Sequence, residues 1–141
     1  MDALLAECQR VIGYHFANTG LLAVALTHSS LRSPDRECNE RLEFLGDSVL
    51  ELAIARTLYD RFPDASEGRL AKIRAHVVSR QSCAAVARTL DLGALLVARA
   101  QDVPGPELHR ISLSRNVLAA LLEAAIAAVY LQHGYDVVAP A

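Results

Sequence analysis

Apolar and polar residues follow one another along this chain at helical spacing, punctuated by caps, prolines and glycines, and six segments read as helices. The first covers about 2–12. The second, LLAVALTHSS, covers about 20–29, with Thr19 as its cap. SPDREC, 33–38, is a loop, because Pro34 bars a helix through it. Asn39 is placed to cap a third helix running to about Arg61, where Pro63 marks the stop. Ser66 caps a fourth over 67–79, and a fifth covers about 80–91, ending before Gly93. VPGPELHR, 103–110, holds two prolines and a glycine and is loop. The last helix runs from about Ser114 to His133, with Gly134 at its C-terminal cap. The expected class is all-α.

Length and composition agree with that pattern. A chain of 141 residues fits one domain. Hydrophobic residues make up 52% and aromatics 5%, with no Trp. Leu, Ala, Val and Ile must then build the core, which favours helices over a sandwich or barrel. The net charge is −2 and the pI about 6.2. Binding nucleic acid by charge alone calls for a far more basic protein. If this chain handles nucleic acid, attraction must come from a local patch, a metal or a missing part. Three scattered cysteines, Cys8, Cys38 and Cys83, with no C-x-x-C, indicate reduced thiols in a cytoplasmic protein. MDALLAEC is unlike a signal peptide. Val117 to Leu131 is the most apolar stretch, but it is short for a bilayer span and carries Glu123, so no membrane is expected.

One stretch stands out chemically. NERLEFLGD, Asn39 to Asp47, mixes Glu40, Glu43 and Asp47 with Leu42, Phe44 and Leu45, and Glu51 follows one turn later. At about 100° per residue the four acids share a stripe about 80° wide. Solvated faces usually mix signs, whereas each like-charged neighbour here costs about 0.2–0.5 kcal/mol unless a cation is near. Either the stripe is a surface face, or it binds a cation. Clustered carboxylates are hard oxygen ligands suited to Mg²⁺ or Mn²⁺. Gly46 costs about 1 kcal/mol against Ala within a helix. Its presence there implies either close approach of another backbone or relief of local packing.

Glu123 is surrounded by apolar residues in NVLAALLEAAIAAVYLQ, so its carboxylate needs a partner or a proton. Arg74 or His28 would be a structural partner; a metal shared with the stripe would be a functional one. Arg69, Lys72, Arg74, His76 and Arg80 form a basic face, which is either solvated or turned to a phosphate backbone. His28, Ser29 and Ser30 lack a nucleophile elbow, and His28 reads as a structural histidine.

NERLEFLGDSVLEL, 39–52, resembles the signature helix of the ribonuclease III family. GYHFANTGLLAVALTHSS (13–30), FPDASEGRLAKIRAHVVS (62–79) and NVLAALLEAAIAAVYLQHG (116–134) are similar to its N-terminal helices, its segment after the signature and its last helix. The resemblance covers about residues 10–135. It implies a ribonuclease III endonuclease-domain fold that acts as a homodimer on double-stranded RNA. The reaction implied is phosphodiester hydrolysis with Mg²⁺, or Mn²⁺ in its place, leaving 5′-phosphate and 3′-hydroxyl ends. Carried over by position, Glu43, Asp47 and Glu123 are the catalytic metal ligands. Glu40 lies at the dimer and RNA-facing edge, and Glu51 falls outside the set. The implied dimer interface lies around Phe44 and Leu45.

Three features depart from the family pattern. Ala120 stands where the last helix carries an Asp three residues before the Glu. ARAQDVPGPELHRISLSR lacks the usual Gly-Gly and Lys-rich character. Residues 1–141 read as a single catalytic domain with no double-stranded-RNA-binding domain following it. Ala120 keeps a second reading open: a ribonuclease III-like domain without catalysis that binds RNA or dimerises.

Overall fold

The computed structural model describes residues 6, 9–10, 20–27, 38–94 and 114–135. Five helices are defined there: α1 (Gly20–Ala25), α2 (Glu40–Arg61), α3 (Glu67–Val77), α4 (Arg80–Thr89) and α5 (Arg115–His133). No strand occurs among the described residues, and the all-α expectation holds. Most of the expected 2–12 helix, the loops at 33–37 and 103–110, and His28, Ser29 and Ser30 lie outside the described residues.

Helix α5 is the axis of the domain. It packs most extensively on α2, then on α4, and also on α1. Ten of its residues are buried, including Ala119, Ala124, Ala127 and Ala128. These small side chains let neighbouring helices come close, while Leu118, Leu121, Leu122 and Val129 fill the core with Leu22, Leu26, Val49, Cys83 and Leu92. The whole of α5, longer than the Val117–Leu131 stretch, is by length and composition alone long and apolar enough to cross a membrane, and half of it is buried inside the domain. Its apolar character is accounted for by helices packed on several sides.

The seam between α2 and α5 determines where the acids lie. Leu42, Gly46 and Val49 of α2 are buried. Leu42 joins Ala25, Ala124 and Ala127 in a small cluster with Val24 and Leu45 against it. A Cβ built on Gly46 would overlap the Glu123 carbonyl oxygen and lie 2.5 Å from its carbon. Of the two readings of Gly46, close backbone approach is the one realised. Glu43 and Asp47 follow Leu42 and Gly46 by one residue, which leaves them half-buried along the edge of the seam.

Several caps fall where the sequence puts them. Ser66 accepts a hydrogen bond from the Arg69 amide at 3.2 Å. α2 stops at Arg61, before Pro63. Gly134 ends α5 at φ +86°, in the left-handed region. The break between α3 and α4 is made by Ser79, whose hydroxyl accepts from the Ser82 amide at 3.1 Å.

Asn39 is a correction. It stands at the N-cap position of α2, but its side chain makes no capping bond. Its amide group donates instead to the Ala25 carbonyl at 3.1 Å, and its backbone N–H donates to the Thr27 carbonyl at 2.9 Å. Asn39 therefore ties the start of α2 to the end of α1. Those carbonyls are spent on α2, and α1 stops at Ala25, short of its expected end near 29.

Candidate active site

Glu40, Glu43, Phe44 and Asp47 of α2, Val78 and Arg80 at the α3–α4 junction, and Glu123 of α5 line one open cavity of about 320 Å³. The fold thus brings together Glu43, Asp47 and Glu123, with Glu40 exposed at the rim. Glu51 lines neither this cavity nor the one beside it.

Glu123 is the most constrained member, only 6% exposed. Among the described residues its carboxylate has no hydrogen-bond or salt-bridge partner. Arg74 does not serve it, and His28 lies outside the described residues. Burial, then the charges of Asp47 and Glu43, push the Glu123 carboxyl up to about 7; Arg80 opposes them. Cys83 lies in the same field. Burial, reinforced by Glu123 and Asp47, raises its thiol to about 11, so the thiol stays protonated, 3.7 Å from the Val78 carbonyl that accepts from it.

Arg80 is the residue that sequence reasoning missed as part of the site. The basic face includes it, but its neighbours there, Arg69, Lys72, Arg74 and His76, do not line the cavity. The guanidinium Nη2 of Arg80 is 3.5 Å from Glu43 Oε1. No spacing rule links positions 37 residues apart in sequence. The one available signal was a like-charged stripe that Arg41 and Arg56 of the same helix, both off its face, do not neutralise.

A second cavity of about 260 Å³ adjoins the first and shares Glu40, Glu43 and Arg80 with it. Asn39, Asn116, Val117 and Ala120 complete its lining. Ala120 and Asn116, one turn apart on α5 and on the same helix face as Glu123, thus border the acid site through this adjoining cavity.

Among the described residues no three His, Cys, Asp or Glu side chains stand close enough together to hold an ion as they are. The donor chemistry nevertheless fits a hard divalent cation. Three carboxylates border one cavity, and the most buried of them has no partner among the described residues.

These charges make the ion-free protein sensitive to pH. Glu123 titrates near 4.5 when unfolded and near 7 when folded, so the folded state holds a proton across that interval. Its contribution to stability is therefore complete below about pH 4.5 and lost as pH rises through about 7, roughly 3 kcal/mol at about 1.4 kcal/mol per tenfold change in proton affinity. Urea denaturation in EDTA should show lower stability at pH 8 than at pH 5.5. Millimolar Mn²⁺ should raise the melting temperature at pH 8 more than at pH 5.5. A pH-independent midpoint would contradict the burial of an uncompensated carboxylate.

The comparisons agree with this architecture. The ribonuclease-III-like family model matches residues 18–140. The chain is 45% identical to ribonuclease 3 of Glaesserella parasuis over 132 residues, which cover 94% of this chain and 56% of that protein. It is 44% identical to ribonuclease 3 of Clostridium perfringens over 138 residues, 96% of this chain and again 56% of the relative. It therefore spans little more than half the length of these relatives. The nuclease domain of ribonuclease III from Campylobacter jejuni superposes with a TM-score of 0.84 at 34% identity, covering 94% of this chain and 88% of that one. That domain has a region involved in dimer formation that is described as structurally flexible. The match runs through every helix from α1 to α5, and the chain belongs to the ribonuclease-III-like family.

Proposed function

We propose that this domain hydrolyses phosphodiester bonds of double-stranded RNA with the help of a divalent cation, leaving 5′-phosphate and 3′-hydroxyl ends. The observation that carries the reading is the unpartnered, buried Glu123 in one cavity with Asp47 and Glu43. These three carboxylates would hold Mg²⁺, with Mn²⁺ as a substitute. When bound, such an ion lowers the pKa of a water and stabilises charge on the leaving oxygen. Asp47 and Glu43 present acceptors from the exposed edge of the seam, where a phosphate can approach. Glu123, only 6% exposed, supplies its carboxylate from the most buried part of the cavity lining. Glu40, at the rim, faces whatever enters.

The same α2 presents Phe44, 80% exposed, beside an apolar cavity of about 630 Å³ lined by Leu21, Val24, Leu42, Leu45 and Leu131 among others. So large an exposed aromatic beside an apolar hollow supports an isologous homodimer in which Phe44 of one copy fills the hollow of the other. Two copies would then present two cavities, one for each RNA strand. The cysteine usage supports a cytoplasmic protein; Cys38 and Cys83 are both buried and unpaired.

Ala120 favours a second reading, a domain that binds RNA or dimerises without cleaving. Cleavage of a perfect RNA duplex with and without Mg²⁺ tests the two together with Ala120→Asp. The first reading expects Mg²⁺-dependent products from the unaltered chain. It also expects a gain of roughly tenfold or more in Ala120→Asp, whose new carboxylate faces the adjoining cavity. Duplex binding without products, with activity appearing only in Ala120→Asp, would establish the second reading. Absence of both binding and cleavage would overturn the first reading and the RNA-binding form of the second, leaving dimerisation alone.

A further inference from the structure

We infer that Arg80 binds a phosphate of the RNA backbone at the mouth of the acid cavity. This inference rests on the proposed RNA substrate. A cavity bordered by Glu40, Glu43, Asp47 and Glu123 repels a polyanion, and Arg80 is the one basic side chain lining it among the described residues. It stands at the common wall of both cavities, so a group entering either one meets its guanidinium.

Its attachment is weak enough to be exchanged. The ion pair with Glu43 is long, 3.5 Å, through a single nitrogen, and the Arg80 side chain is 54% exposed. The guanidinium makes no hydrogen bond among the described residues besides that ion pair, and a phosphate takes such donors two at a time. A divalent cation at Glu43 would compete for the carboxylate that Arg80 now touches, releasing the guanidinium toward substrate. Arg80 also starts α4, where Ser79 caps the helix and Cys83, Ala84 and Ala87 anchor it in the core. The backbone from which the side chain reaches is therefore held in place.

A rival explanation is that Arg80 only positions Glu43. The two differ in sign toward metal. A phosphate ligand that also repels the cation should, when neutralised, weaken RNA binding but not Mn²⁺ binding. A residue that merely positions Glu43 should weaken both.

Binding of a short, labelled RNA duplex in Ca²⁺ buffer over a range of salt concentrations, beside calorimetric Mn²⁺ titration without RNA, separates them. Arg80→Gln is expected to bind RNA about fivefold to tenfold more weakly, with a salt slope smaller by about one unit. Arg80→Lys should recover most of the slope. Arg74→Gln, an equal loss of charge outside the cavity, should leave the slope unchanged. Mn²⁺ affinity of Arg80→Gln should be equal or higher. An unchanged RNA slope in Arg80→Gln, or Mn²⁺ binding weakened in parallel, would overturn the inference while leaving the RNA substrate intact. Failure of the unaltered protein to bind RNA at all would instead remove the substrate reading on which it rests.

Discussion

Gly46→Ala is expected to destabilise the domain by about 3 kcal/mol or more, although the same change in an exposed helix stabilises by about 1 kcal/mol. The reversal has a single cause. The added methyl falls on the Glu123 carbonyl, and the obstructing atoms are backbone rather than the end of a flexible side chain. Helices α2 and α5 must move apart, and Leu42 and Val49 lose contact with Ala124 and Leu122 across the seam. The melting temperature should fall by roughly 10 °C or more. The same separation carries Glu43 and Asp47 away from Glu123, so any cation-dependent activity should fall even where the variant remains folded. A melting temperature equal to or above that of the unaltered chain would show that the helices are not in backbone contact at this point.

Glu123→Gln should separate stability from function. The unaltered side chain is buried, without a partner among the described residues, and repelled by Asp47 and Glu43. Removing its charge at pH 8 without metal should stabilise the fold by roughly 1–3 kcal/mol, because a neutral amide is cheaper to bury than a carboxylate. The fall in stability between pH 5.5 and pH 8 should largely disappear. Cleavage of duplex RNA, in contrast, should drop about a thousandfold or more, equivalent to about 4 kcal/mol of lost transition-state stabilisation. Stabilisation by Mn²⁺ should vanish with it. This opposition, a residue that weakens the fold and is kept for chemistry, is the usual mark of an active-site group. Reduced stability with unchanged cleavage would make Glu123 a structural acid.

Much of this protein was legible in its order of residues. Helical spacing, Ser66, Pro63 and Gly134 located the helices to within a few residues, since caps and breakers act through backbone geometry a few positions away. The acidic stripe was visible because one helix carries all of it. Glu123 was marked as anomalous by its apolar neighbours. Asn39 was misjudged for an equally plain reason: a capping side chain and a tether use the same atoms, and only the nearness of Ala25 and Thr27 decided between them.

What the sequence determined by itself is local: the all-α class, the bounds of α2 and α5, and the one-sided placement of Glu40, Glu43 and Asp47. Tertiary structure decided what no local rule reaches. It set the Gly46 backbone against Glu123, left that carboxylate buried without a partner among the described residues, and brought Arg80 from another helix to Glu43. The physical reason is that periodicity fixes directions within a helix, whereas charge and burial at a site depend on which helix lies opposite. That choice belongs to packing across the whole domain.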